Sequence, residues 1–321
     1  MNYLPLKIEF YRKRDFSEKL NVTFQFIREN WKPFIKFTVY LLLPICLIQT
    51  LIMNSVYGNI LNYAQTNGST SVSNTTFIIY YGVLLLCTIA GGTVLSAMVY
   101  ALMQTYERRD GRLVDLQWND FKEPLIRNAK RSLHLFVFLT VVFVAIAFLV
   151  GIFMAIIFAF SGWSSSLISL IIVIAMMFLI FFVLLVAILF AIMYPVYIFE
   201  PGLGLFSAIG KAWKFGFASF WSLLGFTIVI AIIASVLQTV TTMPWYIVTV
   251  VGSLFSIHSD PPLTQSIFYK FTIFIFGIVQ SMGSYISSII MLTGIAFQYF
   301  HLREKYEGVT IESNITNFGE L

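Results

Sequence analysis

Residues 132–199 read SLHLFVFLTVVFVAIAFLVGIFMAIIFAFSGWSSSLISLIIVIAMMFLIFFVLLVAILFAIMYPVYIF, and no charged residue stands anywhere between Arg131 and Glu200. A helix crosses the ~30 Å hydrocarbon core of a bilayer in ~20 residues, so this stretch holds two spans. Its one polar break, Ser161-Gly162-Trp163-Ser164-Ser165-Ser166, reads as a tight hairpin turn between spans near 133–160 and 167–199. The runs are apolar on every face and do not alternate apolar with polar residues as barrel strands do, which makes them helices. The second run is long enough to reach about 50 Å as a helix, so it tilts or protrudes, and Pro195 near its end marks an exit or a kink.

Working outward, four more charge-free runs of spanning length lie near 34–57, 77–106, 219–243 and 271–300. A shorter apolar run at 244–257, Pro244-Trp245 onward, has a length more typical of an interfacial or re-entrant segment and is placed at the outer face. The composition agrees: 59% of residues are hydrophobic and only 11% charged, against roughly a quarter in soluble domains. Polar segments such as 1–36 and 107–132 are too short to bury a core of their own. The expected fold is therefore an all-α polytopic transmembrane bundle of about six spans forming one integral membrane domain over 1–321. The first apolar run follows a long charged segment without a small-residue cleavage site, so it is expected to remain as the first span.

Lys and Arg accumulate in cytoplasmic loops. Every Lys and Arg except Lys270 falls in the N-terminal segment, in 107–132, after the fourth span (Lys211, Lys214), or in the tail at 301–321 (Arg303, Lys305). Gly58–Thr76 and the Ser161 turn have no charge. Six spans with both termini cytoplasmic, in a cell inner membrane, is the arrangement that satisfies this pattern. Because the cations border spans, they serve topology and contact with lipid head groups rather than nucleic acid.

Each inward segment carries an amphipathic stretch before an outgoing span. Within 1–33, Phe16, Leu20, Phe24, Ile27 and Trp31 share one face, Glu18, Lys19, Gln25, Arg28 and Glu29 lie off it, and Asp15 with Glu18 resembles a capping box. Ile209, Trp213, Phe217 and Phe220 form a similar stripe, and Leu113, Trp118, Phe121 and Leu125 a less regular one that Pro124 interrupts. Three copies of one unit (interfacial helix, span, outer turn, span) describe this order. Trp31, Trp213 and Trp221 are the expected interfacial anchors at head-group depth.

Glu200, Pro201, Ala208, Lys211, Ala212, Trp213 and Lys214, with the amphipathic lead-in to the first span, resemble the six-span bacterial proteins similar to the membrane domain attached to glycerophosphodiester phosphodiesterases. The resemblance covers the span layout and implies a membrane-embedded bundle with a role involving lipid. The 321 residues carry no phosphodiesterase domain, so that catalytic activity is not carried over.

Candidate chemistry is sparse. No Asp, Glu, Lys or Arg sits in the middle of a span, where such residues are retained chiefly for function, and this weighs against proton-coupled transport and voltage sensing. Gly277, Gln280, Ser281, Ser284, Tyr285 and Ser288 in the sixth span form either a small-residue packing face or the polar lining of a cavity; Gly91, Gly92, Ser96 and Ala97 in the second invite the packing reading. His134, His258 and His301 are scattered, Cys46 and Cys87 are isolated in apolar runs, and no cofactor or metal motif is present. The inner acidic residues Glu107, Asp110, Asp115, Asp120, Glu123 and Glu200 either pair with Arg108, Arg109, Arg112 and Lys122 or serve an interfacial reaction. Asn67-Gly68-Ser69 and Asn74-Thr75-Thr76 match the glycosylation sequon, which carries no meaning in a bacterial chain.

Three functions fit: a non-enzymatic protein binding membrane lipids or partner membrane proteins; a transporter or lipid translocator for apolar or neutral cargo; and an interfacial lipid-acting enzyme. A cavity lined by Gln280, Ser284 and Tyr285 favours transport, convergent carboxylates favour catalysis, and a solid bundle leaves binding.

Overall fold

The computed structural model describes residues 7–65, 74–109, 116–160, 191–256 and 266–310, with 113, 173, 174, 176, 177 and 264. These fold as α1 (Phe16–Glu29), α2 (Trp31–Gln65), α3 (Asn74–Arg108), α4 (Trp118–Phe160), α5 (191–199), α6 (Leu205–Ala218), α7 (Phe220–Ser256) and α8 (Ile267–Glu307). No strand occurs among the described residues, and α2, α3, α4, α7 and α8 are long and apolar enough to cross a membrane. The hairpin at 161–166, most of the span at 167–199, the Asn67 sequon and the tail beyond 310 lie outside the described residues.

The bundle is an all-α one in which α7 packs along α8, α3 along α4, and α2 bridges α3 and α8. Packing is densest at the end that carries Arg108, Arg131, Lys211 and Arg303, called here the basic end. Residues 95–106 of α3 and 293–300 of α8 are buried on every face there, as are 192–198 of α5. Phe10, on the non-helical segment 7–15, fills the centre of this end. Its ring stacks on Tyr106 and Phe300 and meets Phe26 and Phe297 edge-on, at centroid distances of 4.9–5.9 Å. Toward the opposite end the helices present apolar side chains outward, Leu86, Phe148, Leu149 and Val240 among them.

Two of the amphipathic lead-ins, α1 and α6, turn large aromatic side chains outward. Asp15 caps α1 through the full capping box with Glu18, as its spacing predicts. The aromatic stripe of α1 faces away from the bundle, with Phe16 and Phe24 exposed, while Val22, Thr23, Phe26 and Lys19 face in. Lys19 was expected on the polar face and is instead buried, because it shares the face on which Phe26 packs into the aromatic cluster of Phe10, Tyr106 and Phe297. In α6 the same holds, with Ala208, Ala212, Phe215 and Gly216 inward and Trp213 and Phe217 outward. Both helices have 14 residues, and each is followed after a single residue, Asn30 or Ser219, by a long helix. The middle lead-in differs: Phe121 is buried against Phe37, and Pro124 sits inside an unbroken α4 that runs directly into the span. Trp31, Trp213 and Trp221 are exposed on the bundle exterior.

Two boundaries differ from expectation. The run at 244–257 is no separate segment, because α7 continues through Pro244 to Ser256. Trp245 explains the continuation: it is buried against Tyr57 of α2 and belongs with Tyr269 and Ile273 of α8 to a second apolar cluster, which offsets the backbone hydrogen bond lost at the proline. Pro195 likewise lies within helical α5, and the helix ends at Glu200-Pro201 instead.

Candidate ligand-binding cavity

A cavity of about 570 Å³ opens between α2, α3, α7 and α8, with Phe136 of α4 and Tyr194 of α5 also in its wall, and it reaches Leu95, Ser96, Tyr100 and Ile295 at the edge of the dense basic end. Its volume falls within the ~300–1,000 Å³ of small-ligand pockets. Gly277, Gln280, Ser281, Ser284, Tyr285 and Ser288 all line it, so the spacing on α8 that allowed a packing face or a cavity lining serves both. A Cβ at Gly277 would overlap Thr50, and one at Gly91 would overlap the Tyr285 hydroxyl, so these two glycines let α2 and α3 close on α8 around the cavity.

Its polar groups are hydroxyls and amides. Tyr285 donates to Gln49 Oε1 at 3.1 Å, which orients that amide and leaves its nitrogen available. Ser281 and Thr50 face each other at 3.5 Å. Ser288 returns its proton to the Ser284 carbonyl, and Thr88 to that of Leu84, so each offers lone pairs to the cavity while its donor is used by its own helix. The Tyr100 hydroxyl, fully buried, and the Asn54 carbonyl oxygen have no protein partner. Both atoms are shut away from solvent, so the polar groups open to the cavity are those of the other lining residues. Among the described residues no charged side chain lines the cavity and no three His, Cys, Asp or Glu groups converge. This wall can hold an uncharged molecule that both donates and accepts hydrogen bonds. It offers no cation to neutralise a phosphate and no acid–base pair for hydrolysis.

Sequence reasoning placed the α8 residues but missed Gln49, Asn54, Thr88 and Tyr100. The available signal was an amide inside a charge-free apolar run, as at Gln49 and Asn54, since polar side chains at membrane depth seek a partner.

The charged groups gather at the basic end. Glu200 accepts from Lys211 at 2.7 Å and from the Tyr299 hydroxyl at 2.7 Å, with Arg303 at 3.8 Å. Glu307 closes the ring through Lys211 at 2.5 Å and Arg303 at 3.1 Å. Arg303 also donates to Tyr11, whose hydroxyl pKa is pushed up to about 12, chiefly by burial. Arg131 donates to the carbonyls of Tyr197, Glu200, Pro201 and Leu203 and stacks 4.0 Å over the Tyr197 ring, closing the end of α5. Of the inner acids, Glu200 and Asp120 are tied to cations, Asp120 meeting Arg109 at 2.8 Å, while Asp110, Arg112 and Asp115 lie outside the described residues. No protein-family model, curated protein or solved structure matches the chain.

Proposed function

We propose that this chain is a non-enzymatic multi-pass protein of the cell inner membrane, both termini cytoplasmic, that binds an uncharged hydrogen-bonding lipid between its helices. The observation that carries the reading is the charge-free cavity of about 570 Å³ lined by Gln49, Thr50, Gln280, Ser281, Ser284 and Tyr285. Lipids with hydroxyl or ester groups and no formal charge, such as diacylglycerols or isoprenoid alcohols, have the hydrogen-bonding chemistry that such a wall can meet. The placement of the basic end in the cytoplasm is supported by the distribution of Lys and Arg along the chain. The resemblance to the lipid-associated membrane-domain group points in the same direction.

Mass spectrometry of lipids co-purified in mild detergent tests this. Wild-type protein is expected to retain one uncharged lipid class well above its share of the bulk membrane, and Ser284→Phe, which fills the cavity, to lose it. Retained lipid of bulk composition in both proteins would overturn the proposal.

Translocation of the same cargo is the second reading, favoured by the lining of Gln280, Ser284 and Tyr285. In this conformation the basic end is closed by Phe10 and its aromatic neighbours, which supports binding over passage. Vesicles reconstituted with a fluorescent neutral lipid separate the two, since only a translocator moves the probe between leaflets.

A further inference from the structure

Lys19 is the one basic residue on α1 that the bundle buries, at 2% exposure. Its ammonium donates to the Ser222 hydroxyl at 3.3 Å in the first turn of α7 and sits 5.5 Å over the Phe226 ring. Among the described residues no carboxylate forms an ion pair with it: Asp15 and Glu18 beside it each accept from the other's backbone N–H in the capping box, and Glu29 at the far end of α1 accepts from Gln25. A buried charge without a counter-ion is costly unless an ion joins it. Among the described residues its one hydrogen-bond acceptor is Ser222, for an ammonium with three donors. Arg14 and Lys305 add positive potential, since both act on His301 together with Lys19. Burial lowers the Lys19 pKa, Asp15 opposes that shift and Lys305 adds to it.

The position of the ammonium selects the anion. Trp221, beside Ser222, is 81% exposed, and Phe16, one turn before Lys19, is 43% exposed with its ring against Phe226. Exposed Trp and Phe at the end of a spanning helix belong at head-group depth. We infer that the junction of α1 with the first turn of α7 binds the phosphate group of an anionic phospholipid, with Lys19 and Ser222 as its direct ligands and Trp221 and Phe16 against its glycerol and upper acyl chain. The site is separate from the neutral cavity and does not depend on it.

The test measures which lipid the folded full-length protein keeps. Protein in detergent micelles containing equal phosphatidylglycerol and phosphatidylcholine is analysed by native mass spectrometry, and the ratio of the two retained lipids is recorded. Lys19→Gln and Lys19→Met are expected to lower that ratio about fivefold, the worth of one basic residue near an anionic surface. Lys19→Arg keeps the preference, and Lys214→Gln, which removes an exposed charge, leaves it unchanged. Inorganic phosphate is added in a parallel arm against sodium chloride of equal ionic strength. If phosphate displaces phosphatidylglycerol and chloride does not, the site takes a soluble anion and the lipid assignment fails. An equal loss of preference in Lys214→Gln and Lys19→Gln would show diffuse attraction and overturn the site.

Discussion

Arg131 offers the sharpest test of how the basic end is held. Its guanidinium donates four hydrogen bonds to carbonyls at the end of α5: Tyr197 at 2.9 Å, Glu200 at 3.2 Å, Pro201 at 2.7 Å and Leu203 at 2.8 Å. The Pro201 bond is exposed, so water replaces it on deletion; the other three are partly buried. Hydrogen bonds to a charged group contribute about 1.5–3 kcal/mol each when buried, and half-exposed ones considerably less, so these three contribute about 1 kcal/mol apiece. Arg131→Ala is therefore expected to cost about 3 kcal/mol, with the lost Tyr197 stacking inside that uncertainty. At about 2 °C per kcal/mol for a chain of this size, the apparent Tm falls by about 6 °C. Arg131→Lys keeps a charge but loses the fork, and is expected to recover less than half of the loss. The two free cysteines provide the assay: Cys46 is buried and Cys87 half-buried, so a thiol-reactive dye reports unfolding in detergent. An Arg131→Ala protein that melts with the wild type, or an Arg131→Lys protein that fully matches it, would refute the capping role.

Phe10→Ala removes a ring at 4% exposure from the centre of the aromatic cluster and is expected to cost about 3–5 kcal/mol. The same variant frees segment 7–15, so limited proteolysis should cut near residue 12 faster than in the wild type. Gly91→Ala forces a Cβ into the Tyr285 hydroxyl and is expected to lose about 1–3 kcal/mol. Adding Tyr285→Phe removes the nearest overlapping atom, so the double variant should melt higher than the sum of the two single losses predicts; strict additivity would break the packing account.

The sequence makes the helices legible because a bilayer imposes length and charge rules on each run separately. The stretch between Arg131 and Glu200, the basic loops and the capping box at Asp15 are all local patterns. Long-range features are less visible. The outward stripe of α1 was legible as a stripe, but the burial of Lys19 follows from α7 lying beside it, and no spacing within 16–29 encodes that. Pro244 looked like a boundary by local chemistry, and Trp245 overrides it by packing on Tyr57 and Tyr269, which stand in two other helices. The cavity was half legible: the small and polar residues of α8 stand at helical spacing and line it, whereas on α3 Leu84, Thr88, Gly92, Ser96 and Tyr100 line it at the same spacing although Gly92 and Ser96 invited a packing reading, and on α2 Gln49 and Asn54 carried no flag.

The division between a charge-locked end and a looser opposite half bears on how a ligand reaches the cavity. Water-side entry at the basic end would have to part α3 and α8 where residues 95–106 and 293–300 are buried on all faces, and break the ring of Glu200, Lys211, Glu307 and Arg303. Several kcal/mol of packing and paired charge oppose that. One component of the seal can leave without unwinding a helix, because Phe10 stands on a non-helical segment held by Lys7 to the Glu107 carbonyl, the Ile8 N–H to the Tyr106 hydroxyl, the Arg14 N–H to His301 Nδ1, and Arg303 and Thr310 to Tyr11. A protein that only binds lipid has no use for withdrawing that segment, whereas a translocator must withdraw it in each cycle. A disulfide tying segment 7–15 to α8 therefore leaves lipid retention intact under either reading and abolishes leaflet exchange only if the chain moves its cargo.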